Sequence, residues 1–298
     1  MKILRNLLIL GVLGGAGLYW YTLPSPLPAD AMAGLQGDAA AGEWVFLAAG
    51  CASCHMAPGA EGEAQLVLAG GQRFASPFGS FLAPNISPDP TAGIGGWSAL
   101  DLANALTRGV SKTGEHLYPA LPYASYAKMQ LQDVADLHAY LITLPADPTP
   151  SQPHEIDFPF NQRLLLGGWK MLYLSQDWGL PGNLTPTEDR GRYIAEAQAH
   201  CAECHTPRDA LGGLDKTRWL AGAPDPSDPT GKARFPNITP AKLNWTEAEI
   251  AYYLTSGFTP EYDSVGGHMA HVVANFAKLP PEEAEAVAAY LKRVAPVE

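Results

Sequence analysis

The stretch C-A-S-C-H at residues 51–55 recurs as C-A-E-C-H at residues 201–205, in a chain of 298 residues. These two stretches contain all four cysteines, and in both a histidine directly follows the Cys-x-x-Cys spacing. Disulfide-stapled domains scatter their cysteines more widely, and a thioredoxin-like Cys-x-x-Cys would not be expected to have the same histidine follow it twice. The chain is therefore organised around two copies of one cysteine and histidine motif.

This motif supports covalent attachment of haem for a physical reason. Two thiols one helical turn apart reach the two vinyl groups of the porphyrin, and the next imidazole then points at the iron. Zinc is disfavoured because a tetrahedral site needs four ligands, and three crowded residues cannot wrap one ion. We predict two covalently bound haem c groups, one on Cys51 and Cys54 with His55 as axial ligand and one on Cys201 and Cys204 with His205.

A second axial ligand decides whether such an iron carries electrons or binds other molecules. A methionine sulfur closes the site and raises the reduction potential. In the second copy Met269 ends the glycine-rich stretch G-G-H-M from Gly266, where a core-filling role is unexpected. We predict Met269 as the ligand, with His268 and His271 as competitors.

The first copy has no methionine in the matching loop, which reads H-L-Y-P-A-L-P-Y from His116. Met129, just before the last predicted helix of this copy, is the favoured ligand. Its alternative role is a core residue equivalent to Leu279. His116 as the ligand, or an open haem face, are the remaining possibilities.

The whole chain repeats around these motifs. Pro84–Pro88 matches Pro236–Pro240, Trp97 matches Trp245, and helical patterns recur in the same order, with no alternating run long enough for a sheet. The middle helix of each unit is predicted to begin with a capping box, Ser98 with Asp101 and Thr246 with Glu249, and to end at Gly109 and Gly257. The predicted fold class is mainly α, an N-terminal transmembrane helix followed by two tandem class I cytochrome c-like domains. The predicted segments are a membrane anchor (1–24), a linker (25–36), domain I (37–146), a packed linker (147–183) and domain II (184–298).

An apolar run from Leu7 to Leu23 follows two basic residues and ends in three aromatics, as expected of a helix that crosses a bilayer toward the periplasm. A cleaved signal peptide is the alternative, because Ala29–Ala31 resembles a cleavage site. Either an uncleaved helix or a cleaved signal peptide would direct export of the chain. We expect a single-pass protein of the inner membrane, with its haem domains in the periplasm.

A formal net charge of −11 argues against nucleic acid as a partner, because phosphates would be repelled, and leaves a basic protein partner open. Among the few cations, Arg73 and Arg208 are candidates to pair with haem propionates, since guanidinium suits carboxylate geometry. Trp97 and Trp245 are candidates to line the haem pockets or to fill the cores.

Longer motifs make a family resemblance visible. They are G-G-Q-R-F-A-S-P-F-G from Gly70, P-N-I-S-P-D from Pro84 with G-I-G-G-W-S up to Ser98, L-Y-P-A-L-P-Y from Leu117, F-P-F-N-Q-R from Phe158 and C-A-E-C-H-T-P-R from Cys201. With these the chain resembles the dihaem and trihaem cytochrome c subunits of membrane-bound alcohol and gluconate dehydrogenases. Two departures stand out: the family's usual third haem unit is absent, and Leu121 stands where related sequences often have methionine.

The resemblance implies periplasmic haem domains that accept electrons from a dehydrogenase subunit and pass them to quinone, a cytochrome or an oxidase. It also supports Met269 as an axial ligand. We predict a non-catalytic electron carrier. The alternative is a dihaem enzyme, a peroxidase or a sulfur-compound oxidase, that uses an open or histidine-bound first haem.

Overall fold

The computed structural model describes residues 2–228 and 230–298. Its helices are α1 (Lys2–Tyr21), α2 (Ala39–Ala48), α3 (Cys51–His55), α4 (Ala99–Ala103), α5 (Tyr123–Tyr126), α6 (Leu131–Leu141), α7 (Leu165–Tyr173), α8 (Pro186–Tyr193), α9 (Ala202–His205), α10 (Glu247–Ser256), α11 (Met269–Phe276) and α12 (Pro281–Arg293). Its strands are β1 (Arg73–Ser76), β2 (Gly79–Leu82), β3 (Glu155–Ile156), β4 (Ala223–Pro224) and β5 (Arg234–Phe235). The fold is mainly helical, as predicted.

The first helix is long and apolar enough to cross a membrane by length and composition, over Ile3–Tyr21. It ends in three exposed aromatic residues, Tyr19, Trp20 and Tyr21. Thr22, the next residue, is buried at 8% exposure against the folded part of the chain. Helix α1 therefore leaves the folded body at one firmly held point.

Each unit is built on two helices that cross closely. Helix α2 packs on α6 in the first unit, and α8 packs on α12 in the second. A β-carbon at Gly42 would lie 2.0 Å from the carbonyl oxygen of Asp136, and one at Gly191 would lie 1.8 Å from that of Ala286. Glycine is needed at both crossings because any side chain would force the helices apart.

The two copies differ in length ahead of their cysteine motifs. The second unit has one residue more between its crossing glycine and its first cysteine than the first unit has. The structure accommodates this residue as a π-helical turn over Ile194–Gln198, which continues α8. A π-turn is a single-residue insertion into a helix, so the two cysteine motifs still start from equivalent places.

The middle helices begin and end as their sequences predict. Ser98 and Asp101 form a reciprocal capping box at the start of α4, and Thr246 and Glu249 form one at the start of α10. Helix α4 continues as a π-turn to a left-handed Gly109, and α10 ends at a left-handed Gly257.

The expectation that no sheet forms is wrong for two small ribbons. Strands β1, β2 and β3 make a three-stranded antiparallel sheet, and β4 pairs with β5. The strands are two to four residues long, too short for alternation to be visible in the sequence.

The linker between the units lies against both of them. The ammonium of Lys170, on α7, donates to the carbonyl oxygen of Gly109 at 2.6 Å. On the same helix, the indole of Trp169 donates to the carbonyl oxygen of Leu211 at 3.0 Å. Helix α7 thus joins the two units through contacts with each.

Candidate haem sites

Each pair of cysteines lies on a short helix or at its start. Helix α3 runs over Cys51–His55, and in the second unit Cys201 is the N-cap of α9. All four thiols are free rather than paired in disulfides. Burial raises the pKa of Cys51 and of Cys201 to about 12.

The two motif histidines have the same hydrogen bond. The Nδ1 atom of His55 lies 2.8 Å from the carbonyl oxygen of Pro84, and that of His205 lies 2.8 Å from the carbonyl oxygen of Pro236. Because a carbonyl only accepts, Nδ1 carries the hydrogen and Nε2 keeps its lone pair. Burial lowers the pKa of both imidazoles. Both rings are thus neutral and oriented, with Nε2 available for the predicted bond to iron.

An asparagine side chain fixes the loop that supplies each of these carbonyls. In the first unit, the Asn85 amide donates to the carbonyl oxygen of Asp147 at 2.8 Å. In the second, the Asn237 amide donates to that of Val297 at 2.7 Å. The recurrence of P-N-I-[S/T]-P is visible in the sequence, but its role in holding the motif histidine is not. That role depends on hydrogen bonds to residues that follow the last helix of each unit.

Met269 is the first residue of α11 and is half-buried against the hydrophobic core. Of its competitors, His268 is exposed and has its ring centroid 6.5 Å from that of Phe74, in the first unit. His271 is half-buried. A half-buried methionine at a helix start suits a side chain that borders a cofactor, and Met269 keeps its place as the predicted ligand.

Backbone hydrogen bonds at the start of the distal loop relate the two units. The amide of Leu117 donates to the carbonyl oxygen of Gly109 at 2.7 Å, and the amide of Val265 donates to that of Gly257 at 2.8 Å. Leu117 lies four residues before Leu121, and Val265 lies four residues before Met269. Both glycines are left-handed helix ends. The two loops therefore start in the same register, and counted forward from this start Leu121, half-buried like Met269, falls opposite Met269.

Met129 matches a different residue of the second unit. Its amide donates to the carbonyl oxygen of Tyr126 at 2.9 Å, as the amide of Leu279 donates to that of Phe276 at 3.0 Å. Met129 is 6% exposed and Leu279 is 8% exposed, both within the hydrophobic core. The structure thus places Met129 where an apolar core residue serves in the other unit, and Met129 as an iron ligand stays a prediction.

His116, the other candidate for the first iron, is 5% exposed. Its Nε2 atom lies 2.8 Å from the carbonyl oxygen of Thr22, directly after α1. Its own carbonyl oxygen accepts a hydrogen bond from Arg163 at 2.6 Å. The structure therefore uses His116 to hold the end of α1 and the linker.

The two arginines considered for propionates pair with carboxylates of the chain. Arg73 forms a bidentate pair with Glu155, and Arg208 pairs with Glu203, which lies between the two cysteines of the second motif. Trp97 and Trp245 are half-buried against the core.

The two attachment segments touch each other, which the local sequence patterns do not predict. The Nε2 atom of His200 lies 3.3 Å from the carbonyl oxygen of Ala49. The hydroxyl of Ser125, in the first unit, donates to Glu203 at 3.1 Å. A direct contact therefore connects the residues just ahead of the two cysteine motifs, and only the pairing of the units in space reveals it.

Comparison with known proteins agrees with this arrangement. The model of the cytochrome c family matches residues 39–145 and again residues 189–295. The chain belongs to the cytochrome c family. More particularly it is a dihaem cytochrome c, and it carries two covalently bound haem c groups. The residues fit this cofactor, since each unit offers two free thiols beside an oriented, neutral imidazole.

Three relatives show the range of similar proteins. A diheme cytochrome c-type protein of Cereibacter sphaeroides is 55% identical over 287 residues, which are 96% of each chain. The fructose dehydrogenase cytochrome subunit of Gluconobacter japonicus is 35% identical over 261 residues, 85% of this chain and 52% of that one. The gluconate 2-dehydrogenase cytochrome c subunit of Pantoea cypripedii is 31% identical over 261 residues, 84% of this chain and 58% of that one.

Proposed function

We propose that this dihaem cytochrome c is an electron carrier that passes electrons between its two haems within a membrane-bound respiratory assembly. The observation that carries the proposal is the contact between the attachment segments, His200 against Ala49 and Ser125 against Glu203. Two haems attached on either side of this contact are held at a fixed, short separation within one chain.

The residues proposed to hold the haems are those of the two motifs. Cys51 and Cys54 attach the first haem, and Cys201 and Cys204 attach the second. His55 and His205 are the proximal ligands, each oriented by a prolyl carbonyl at 2.8 Å. Bound in this way, haem supplies reversible one-electron chemistry at iron, and the chain supplies position and electrostatics.

For the distal side we propose Met269 on the second iron. On the first iron the matching position holds Leu121, whose side chain has no lone pair to donate. Met129, which the sequence predicts as the ligand of this haem, lies in a core position that Leu279 fills in the second unit, and we propose that it stays in the core. The proposal is thus of two haems with different distal surroundings.

We also propose that α1 anchors the chain in the inner membrane and places the haem units in the periplasm. Support comes from the length and apolarity of the helix over Ile3–Tyr21. Basic residues at its start and aromatic residues at its end match the usual orientation of such helices.

The proposed donor is the catalytic subunit of a dehydrogenase, because several relatives are named as cytochrome subunits of dehydrogenases. The chain spans about half the length of those cytochrome subunits. The test is to isolate the full chain from detergent-solubilised membranes with its bound proteins and add fructose, gluconate or ethanol. Reduction of haem by one of these, lost when the copurifying protein is removed, supports the proposal. No copurifying dehydrogenase and no reduction by any of them contradicts it.

One observation favours a second candidate function. Leu121 at the position of Met269 would leave the first iron able to bind an outside molecule, as in a peroxidase. Steady turnover of hydrogen peroxide by the purified protein, lost in His55→Ala and kept in Met269→Ala, would support this enzyme over the carrier.

A further inference from the structure

Helix α7 in the linker has an apolar outer face. Leu164, just ahead of the helix, and Leu165, Met171 and Leu172 within it are 50–67% exposed. At helical spacing they form one stripe, which we call the linker stripe, and a β-carbon at Gly168 in its middle would meet nothing within 4 Å. Surface helices of proteins in water normally turn charged side chains outward.

The one charged side chain of α7 points the other way. The ammonium of Lys170 donates to the carbonyl oxygens of Arg108 and Gly109 at 2.8 and 2.6 Å and lies 5.1 Å from the ring centroid of Tyr123. Lys170 therefore lies on the inner side of α7, and the linker stripe carries no charged side chain. A stripe of this kind marks an interaction surface.

The position of α7 indicates what covers the stripe. A β-carbon at Gly167 would lie 2.1 Å from the carbonyl oxygen of Thr22, so the backbone of α7 abuts the residue that directly follows the last turn of α1. Ser25 is also held, because its carbonyl oxygen accepts from Arg108 at 3.0 Å. The chain therefore has no free spacer between α1 and the linker.

The length of α1 then sets the depth of α7. Its 20 residues extend for about 30 Å, and a bilayer has a hydrocarbon core of roughly 30 Å. Because α1 has no length to spare, Thr22 lies at the edge of the hydrocarbon core, at the level where interfacial helices bury their apolar faces.

We infer that the linker stripe is a second membrane contact, which lies in the lipid interface beside the exit of α1. This inference rests on the proposed anchor. It would hold the haem units in one orientation on the membrane, where a single flexible tether would leave them free to rotate.

The experiment uses the full haem-loaded chain in nanodiscs of phosphatidylcholine that carries a photoreactive diazirine in its acyl chains. After illumination, mass spectrometry counts lipid adducts on three peptides: α1, α7, and the segment with Tyr252 and Tyr262, which are 59% and 90% exposed on the second unit. We expect adducts on α1 and α7, at least several-fold above those on the control segment. The double variant Leu165→Gln/Leu172→Gln should cut the α7 adducts several-fold, and Tyr252→Gln/Tyr262→Gln should leave them unchanged.

Two failures are distinguishable. If α1 carries adducts but the adduct count on α7 is no higher than on the control segment, the membrane contact is overturned and the anchor stands. This result is also the one expected if a second copy or another protein covers the stripe. An α1 peptide without adducts would overturn the anchor itself.

Discussion

The two halves of this chain share their proximal side and differ on their distal side. In both, a prolyl carbonyl 2.8 Å from Nδ1 orients the motif histidine, and an asparagine amide pins the loop that supplies it. Counted forward from the left-handed glycines, the first unit has Leu121 opposite Met269, the proposed distal ligand of the second haem. On the proposed ligand assignment, the two units have kept the parts that attach and orient the cofactor and have diverged in the parts that set its reactivity.

The cores of the units differ as well. In the first, Phe46 packs on Tyr140 with ring centroids 5.1 Å apart. In the second, Glu196 replaces the phenyl ring and accepts a hydrogen bond from Tyr290 at 2.7 Å. Glu196 also accepts from the linker amide of Leu180 at 3.0 Å, and burial raises its pKa. A buried carboxylate thus ties the linker to the core of the second unit, and the first unit has a phenyl ring in its place.

The largest effect is expected from Met269→Ala. Loss of the sulfur should remove the methionine-to-iron charge-transfer absorption of the second haem and lower its potential by on the order of 0.2 V, since axial ligands set haem potentials over roughly 0.8 V. The measurement is a spectroelectrochemical titration of the purified protein. An unchanged second potential would show that another group, such as His271, binds this iron.

The reverse change in the first unit is Leu121→Met. If the loops match as the backbone register indicates, the new sulfur should give the first haem a charge-transfer absorption and raise its potential by on the order of 0.1 V. The same titration measures it, with Leu121→Ile as the matched control. A first haem with the same potential in Leu121→Met and in the wild type would show that the loops differ in shape.

The polar core of the second unit is tested by Glu196→Gln. The amide keeps one acceptor oxygen but turns a donor toward backbone N–H groups, so we expect unfolding to become easier by about 1–3 kcal/mol. Thermal unfolding followed by circular dichroism measures this change. Glu43→Gln, at an exposed position in the first unit, should stay within about 0.5 kcal/mol of the wild type. Equal effects for the two variants would mean that the Glu196 contacts contribute nothing.

The smallest effect is expected from Met129→Leu. Because Leu279 fills the matching core position, this exchange of similar volume should cost less than about 1.5 kcal/mol and leave the first haem spectrum unchanged. Chemical unfolding and the oxidised spectrum check both expectations. Loss of a charge-transfer absorption from the first haem would establish Met129 as its ligand, as the sequence predicts.

The sequence predicted what depends on local spacing. The two motifs, the capping boxes of α4 and α10 and the glycine helix ends are all short-range patterns, and the structure has them at the predicted residues. The ribbon β1–β2–β3 and the contact of His200 with Ala49 depend on segments far apart in the chain, which no local period reveals.

A difference in loop length explains why the sequence alone gives two possible counterparts of Met269 in the first unit. Counted back from the last helix, Met269 falls opposite Pro119, because the second unit has two more residues between its left-handed glycine and that helix. Counted forward from Gly109 and Gly257, it falls opposite Leu121. Backbone hydrogen bonds support the forward count at the start of the loop, at Leu117 and Val265, and the backward count at its end, at Met129 and Leu279.

The inequivalence of the two haems is tested by near-infrared magnetic circular dichroism of the oxidised wild-type protein, with haem counted by pyridine haemochrome. We expect two haems per chain and a methionine-to-iron charge-transfer intensity that corresponds to one of them. An intensity that corresponds to both haems would contradict this expectation and show that the first iron also carries a methionine.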